Sequence, residues 1–588
     1  MVSPQIGGSD MGGSMHFIWQ IRFLIKLPVL LGLTMTFCQA AGSSLTPSGL
    51  DKQRVDMEIR SFWSVMPERG WVNLDIEIRN RMSQDAEWTF QFRANKHWSD
   101  EEYLETKTTV RVGANSVRTA RVLVPVYPTM ESGYSVDPRL EMSILGPGSA
   151  LRDYNVLNSG SGHYAETSRF LLVSEGASGA WSEGNWDWPA LEKEAEDVQA
   201  PFSFVHADLE VFPSDMKALL GADLFVMLEK EWRERPPSER KVINRWVLQG
   251  GHLVLVGEGG KEVRNMGQGT VRTFSSSNAG MKEVLNRLRS IKPVNLRVIG
   301  ADSFHESEWE LRKSFPDIHK PIGILMVVVI VVAAALGPVN LWLAFRRRNS
   351  LQMLWSTPML SVGISALIGV AILVADGLGG QGVRAHWVLL LPQHQAEVSW
   401  QEQVSRTGLL PSGSFQLDEG WWIRPVSTGM NDDYQNRKYF INANGVHRGD
   451  WFANRRVQAQ ILQRVQTSRA RVSVTRTGET PQVLSTVETP FARLLYRDAK
   501  GEVWLAEDVN PGEPVALARG DSEDERALLR DLRTRKAHLF PEERLLASRE
   551  WFFAEGAEDG RMMETLPSVK WTDHAVWFLG PVAGGAHE

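Results

Sequence analysis

Two uncharged stretches, each 25 residues long, occupy the middle of this 588-residue chain. The first, Pro321 to Phe345, reads PIGILMVVVIVVAAALGPVNLWLAF. The second runs from Leu351 to Ala375 and stops at Asp376. Crossing a hydrocarbon core takes about 20 apolar residues. At ~1.5 Å per residue, each stretch gives ~37 Å of helix, enough to cross with some tilt. The sequence therefore predicts a two-helix transmembrane hairpin, 321–345 and 351–375, joined by a short loop at 346–350. That loop carries Arg346, Arg347 and Arg348 and no acid. Cationic short loops stay cytoplasmic. The expected location is thus the bacterial cytoplasmic (inner) membrane, multi-pass, with both large regions extracytoplasmic. On the second stretch Ser361, Ser365 and Gly369 recur every four residues, a spacing that lets helices approach closely. They are the candidate helix-packing face.

The N-terminus agrees with this orientation. Arg22 and Lys26 precede the apolar run Leu27 to Phe37, and Cys38-Gln39-Ala40-Ala41 follows. This pattern reads as a secretory signal peptide over residues 1–41, cleaved after Ala40 or Ala41. An uncleaved anchor is the alternative, and Met15 is an alternative start. Cys38 is the sole cysteine. Cleavage leaves a chain with no disulfide, no zinc-cysteine site and no cysteine nucleophile. Lipidation of Cys38 is a further alternative, although Met35-Thr36-Phe37 do not fit a lipobox. A net charge of −6 without a long basic block gives no reason to expect nucleic acid as a partner. The expected partners are the lipid bilayer and other membrane or envelope proteins.

Regions of roughly 275 and 210 residues flank the two stretches, room for several domains. In residues 42–160, Val72, Leu74, Ile76 and Ile78 alternate with Asn73, Asp75, Glu77 and Arg79, the period-two mark of a half-buried strand. Similar segments at 55–63, 88–92, 106–112 and 117–126, separated by turn residues, predict an N-terminal β-sandwich of immunoglobulin-like type.

Residues 165–300 change to strand-helix alternation. Phe170 to Val173, Phe202 to Val205, Leu224 to Leu228 and Leu253 to Val256 read as buried strands. Pro236-Pro237-Ser238 opens a helix with Val242, Ile243, Trp246 and Val247 inward, and Gly250-Gly251 ends it. Such alternation predicts an α/β Rossmann-like domain. Two segments, ALLGADLFVMLEKEW and RKVINRWVLQGGHLVLVGEGG, followed by Gly267 to Val271, carry a resemblance to the class I glutamine amidotransferase-like fold. More closely, they resemble degenerate versions found in bacterial membrane proteins. The active family places a cysteine nucleophile in G-x-C-x-G. Here the matching turn is Val256-Gly257-Glu258-Gly259-Gly260, with neither cysteine nor serine. The resemblance thus implies the fold and argues against the activity. LGPVNLWLAFRRRNSLQMLWSTPML, with Gly337, Pro338 and Asn340, is similar to uncharacterised two-span bacterial membrane proteins of the same layout.

Residues 385–588 read as an extracytoplasmic β-rich α+β domain. Strands are expected at 386–391, 469–476, 491–497, 502–505 and 575–579, with a hairpin loop at Asp498-Ala499-Lys500-Gly501. Trp451 to Gln466 reads as an amphipathic helix with Phe452, Val457, Ile461 and Val465 inward, and 524–536 as a charged helix.

The chemistry-bearing candidates are few. Glu258 and Ser174 lie after strands of the α/β region, where sheets of this kind bind ligands, and are the candidate catalytic residues. His206 and Asp208 are a metal-like pair, one ligand set short of a site. No P-loop, G-x-S-x-G or H-E-x-x-H occurs, and no cofactor is expected. The sequence reading is a non-enzymatic membrane protein that presents extracytoplasmic domains for assembly or regulation of an envelope complex. The alternatives are a hydrolase with a site in the α/β domain and an accessory subunit of an ABC-type exporter.

Overall fold

The computed structural model describes residues 44–47, 54–67, 70–96, 99–126, 139–147, 153–158, 169–183, 202–257, 262–275, 311, 330–346, 352–376, 379–410, 412–426, 438–442, 444–454, 456–477, 480–521, 523, 526–527, 550–556 and 561–583. Among the described residues the structure is mostly β, with 56% strand and 19% helix. Five sheets, of three to nine strands, form among the described residues.

The N-terminal strands follow the period-two rule. Val72, Leu74, Ile76 and Ile78 of Trp71–Asn80 are fully buried, while Arg79 faces solvent. This strand lies between Val55–Ser61 and Ser116–Pro125 in a four-stranded antiparallel sheet. A seven-stranded sheet holds Ala86–Lys96, Ser99–Val112, Arg139–Leu145 and Asp153–Asn158. Its other three strands come from the far end of the chain: Phe415–Gln416, Lys438–Ile441 and Val446–Gly449. The join is parallel, with Lys438, Tyr439, Phe440 and Ile441 in register with Tyr103, Leu104, Glu105 and Thr106.

Residues 169–275 build a six-stranded sheet. Phe202–Ala207, Arg169–Ser174, Leu224–Leu228, His252–Gly257 and Gly269–Ser275 run parallel in that order, and Glu262–Met266 closes it antiparallel. The runs LFVML and, within His252–Gly257, LVLV are apolar because both faces of these strands are covered. The helix Pro237–Leu248 buries Val242, Ile243, Trp246, Val247 and Leu248. Gly251 lies so close to Trp246 that a Cβ would sit 2.2 Å from the indole. The C-terminal sheet has nine strands; among them Gly380–Leu391 pairs antiparallel with Ala396–Thr407 and parallel with the central strand Val569–Pro581.

One apolar core runs from Val55 to Leu579 through all these regions. Polar contacts tie them too. Trp63 Nε1–H donates to Ala218 O at 3.0 Å. The buried Gln249 amide donates to Gln463 Oε1 at 3.1 Å.

The expected fold class is corrected in three places. The N-terminal sheets are no self-contained immunoglobulin-like sandwich, because three strands of the larger sheet are supplied by 415–449. Residues 165–300 give no separate Rossmann-like α/β domain. Their helices Glu175–Glu183, Glu229–Glu234 and Pro237–Leu248 are short, an antiparallel strand closes the sheet, and its core continues into the neighbouring sheets. Nothing in the described residues supports glutamine amidotransferase-like features.

The two-helix transmembrane hairpin is the third correction. Among the described residues no helix is long and apolar enough to cross a membrane, which overturns the multi-pass inner-membrane location. Ala335–Val339 is a π-helical turn around Pro338, whose ring lacks the N–H that a helix uses. Only seven α-helical residues, Asn340–Arg346, follow. The helix Gln352–Asp376 carries Ser356, Thr357, Pro358, Ser361 and Ser365 along its described part. Residues 1–41, 321–329, Arg347, Arg348 and Glu258 lie outside the described residues, as does nearly all of the expected helix at 524–536.

A further expectation also changes. Val457–Thr467 is a strand, not the second half of a helix. Both its faces are buried, so period two is hidden, and Ile461 and Val465 lie on one face in either geometry. The hairpin loop at 498–501 stands as expected, with Asp498 Oδ1 accepting from the N–H of Lys500 and Glu502 at 2.9 Å.

Because 438–449 complete the N-terminal sheet, the two halves should unfold together. Tyr439 is buried against Trp451, ring centroids 4.8 Å apart. Tyr439→Ala should lower stability by about 3–5 kcal/mol and shift a single urea transition seen by tryptophan fluorescence. Two separated transitions would contradict the shared sheet.

Candidate functional site

The carboxyl ends of the parallel strands gather the first candidates. Ser174 ends its strand fully buried, immediately before the helix Glu175–Glu183. Its hydroxyl accepts from Ala177 N–H at 3.2 Å, a capping bond on the helix start. The same hydroxyl donates to Glu231 Oε2 at 2.5 Å. Glu231 also accepts from Leu228 N–H at 2.8 Å and from Gly176 N–H at 3.1 Å. One carboxylate thus ties two strand ends to two helix starts. Among the described residues no imidazole bonds Ser174, and the carboxylate beside it already takes two backbone donors. This geometry builds a cap rather than an activated nucleophile.

Asp208 is likewise committed. Its Oδ1 accepts from Glu210 N–H at 2.9 Å, capping a short 3-10 turn. Arg60 Nη2 donates to its Oδ2 at 3.0 Å and to Glu210 Oε2 at 2.8 Å. His206 holds the neighbouring edge by its backbone: its N–H donates to Ser64 Oγ at 3.1 Å, and its carbonyl accepts from Ser64 N–H at 3.2 Å. Burial lowers the pKa of its ring, opposed by the charge of Glu175. His206 and Asp208 therefore fasten the parallel sheet to residues 60–64. Among the described residues no group of three or more His, Cys, Asp or Glu is placed to hold a metal ion.

A polar layer inside the nine-stranded sheet escaped the sequence reading. Gln401 donates to Gln403 Oε1 at 3.1 Å and to Met563 O at 2.8 Å, and accepts from Met563 N–H at 2.7 Å. Gln403 donates to Gln460 Oε1 and Thr565 Oγ1, both at 3.0 Å. Gln460 donates to Trp451 O at 2.6 Å. The signal in the sequence was the repeated Q-x-Q of Gln401-Glu402-Gln403 and Gln458-Ala459-Gln460. Glu231 and Arg60 were missed as well, because their partners lie 57 and 148 positions away.

A polar cavity of about 610 Å³ opens beside this layer, lined by Ser412, Ser414, Arg448, Asp450, Phe452 and Asn454 among others. Next to it His447 is buried, stacked on Phe415 at 4.9 Å.

The largest departure from an ordinary surface lies on the helices. Ten of the fourteen exposed large hydrophobic side chains among the described residues fall between Ile330 and Val362. Phe345 is 73% exposed and Trp355 76%. Ser361 and Ser365 are exposed on the same helix, so no packing partner covers them within the described chain. Arg346 stacks over the Trp342 ring at 5.3 Å.

No family model matches the chain, and no curated protein matches it. Among solved structures, Spo0M, a sporulation control protein from Bacillus subtilis, is 6% identical, with a TM-score of 0.13. The match covers 18% of this chain and 50% of Spo0M. The yeast delta-COP-I mu-homology domain, complexed with a Dsl1 WxWxV peptide, is 7% identical, with a TM-score of 0.18, over 34% of this chain and 95% of that one. A β-glucuronidase of glycoside hydrolase family 2 is 10% identical, with a TM-score of 0.16, over 40% of this chain and 26% of the enzyme. Likenesses of this size bring no function to the chain.

Two predictions follow from these side chains. Ser174→Ala should cost about 0.5–2 kcal/mol, the value of a helix cap. Glu231→Ala should cost more, on the order of 3 kcal/mol, because three donors lose a charged acceptor; urea midpoints rank the two variants. Burial holds the His447 ring neutral and lowers its pKa to about 4, from the usual 6.5. Above pH 6.5 both folded and unfolded states carry it neutral. As pH falls from 6.5 to about 4, only the unfolded state takes the proton, so stability should drop by roughly 3 kcal/mol. His447→Phe should flatten that part of a stability-versus-pH profile.

Proposed function

We propose that this chain is a non-enzymatic assembly protein of the bacterial envelope, whose fused β-sheets present surfaces to other envelope proteins while its exposed apolar helix surface rests against lipid. The observation that carries this reading is the concentration of uncovered apolar side chains between Ile330 and Val362. Contiguous exposed apolar surface is costly in water and marks an interaction site. Elsewhere among the described residues the exposed large hydrophobics are four scattered ones, Val117, Leu145, Val263 and Leu409, so the concentrated surface belongs to a distinct task. The described groups that would serve a hydrolase are used in holding the fold. Ser174 and Asp208 cap helix starts, and Glu231 and Arg60 neutralise or orient them.

Lipid suits this surface because its side chains are long, aromatic or branched and uncharged, and because no acid interrupts residues 321–375. Vesicle flotation tests the reading. The intact chain should float with phosphatidylcholine vesicles. Trp342→Asp combined with Phe345→Asp should weaken the association on the order of a hundredfold, since each large side chain contributes about 1.5–3 kcal/mol on burial. A chain that stays out of the vesicle fraction would contradict the lipid contact.

A further inference from the structure

Resting on the lipid contact proposed above, we infer that Trp342, Arg346 and Trp355 form a headgroup site that prefers anionic phospholipid over neutral phospholipid. Trp342 and Arg346 share one helix, and Trp355 lies on the next described helix. Arg346 closes the helix Asn340–Arg346, and Trp355 stands in the first turn of the helix Gln352–Asp376. Trp342 is 58% exposed and Trp355 76%.

The guanidinium of Arg346 lies over the Trp342 ring at 5.3 Å. That contact holds a cation against an aromatic face, and a guanidinium carries N–H groups able to donate to an oxyanion. Residues 321–375 contain no Asp or Glu, whereas Arg346 is followed by Arg347 and Arg348. No acid within residues 321–375 can therefore pair with Arg346. Indole rings favour the boundary between hydrocarbon and headgroup, with an apolar body and one N–H for the polar side. Two tryptophans and a stacked arginine bordering a hydrocarbon-like surface match the phosphate level of a lipid leaflet. A guanidinium there adds attraction of about 1 kcal/mol for an anionic surface, or about fivefold in binding.

The experiment compares flotation of the intact chain on vesicles of phosphatidylcholine alone and of phosphatidylcholine mixed with phosphatidylglycerol. Binding should be several-fold tighter to the mixed vesicles, and the preference should shrink as salt rises. Arg346→Gln should reduce the ratio of the two affinities about fivefold, and Arg346→Lys should retain most of it. Inorganic phosphate at millimolar concentration should not release the chain; release would point to a small-anion site and overturn the headgroup assignment. Equal binding to both vesicle types, or an unchanged ratio in Arg346→Gln, would overturn this inference while leaving the lipid contact standing. Failure to bind either vesicle would remove both.

Discussion

The parallel pairing of Lys438–Ile441 with Tyr103–Thr106 is the contact on which the rest of the structure depends. It joins three strands from beyond the helices to four that precede them in one sheet. Parallel pairing demands a long crossover, and here that crossover includes the parallel sheet, the apolar helices and most of the nine-stranded sheet's first half. Loop-closure entropy grows only slowly with length, so burial of Leu104, Tyr439 and Ile441 can offset it. Once the strand is in place, the two large regions share one core.

The polar contacts sharpen this union. Gln249 meets Gln463 across the junction between the parallel sheet and the nine-stranded sheet. Arg60 reaches Asp208, and Trp63 reaches Ala218, across the other junction. Buried amides cost free energy unless paired, so these contacts form well only when the sheets meet in the native register. The Gln401, Gln403 and Gln460 layer acts in the same way between strands and the 563–565 segment. These contacts fasten the sheets to one another.

Much of this was legible locally and little of it globally. The alternation in Val72 to Ile78 read correctly as a strand, and so did the apolar runs at Leu224 and Leu253, because burial on one or both faces writes itself into adjacent residues. The helix at Pro237–Leu248 was equally plain. Val457–Thr467 was misread because glutamines occupy its second buried face, and buried polar residues erase the period on which the reading relies. The two uncharged stretches predicted a crossing pair, but the π-turn at Pro338 and the short helix after it are local geometry that apolar content does not encode. Ser174, His206 and Asp208 were singled out for their types and positions; Glu231, Arg60 and Ser64, which decide what they do, are distant in sequence. The strand exchange itself left no mark, since a parallel edge needs no complementary motif.

Cross-linking tests the shared sheet most directly. In a Cys38→Ser background, cysteines placed at Tyr103 and Lys438 stand opposite one another in the parallel register. Mild oxidation of the folded chain should join them within one molecule, giving a faster-migrating band that reductant reverses. A folded chain in which these two cysteines stay free, while remaining accessible to a thiol reagent, would contradict the account.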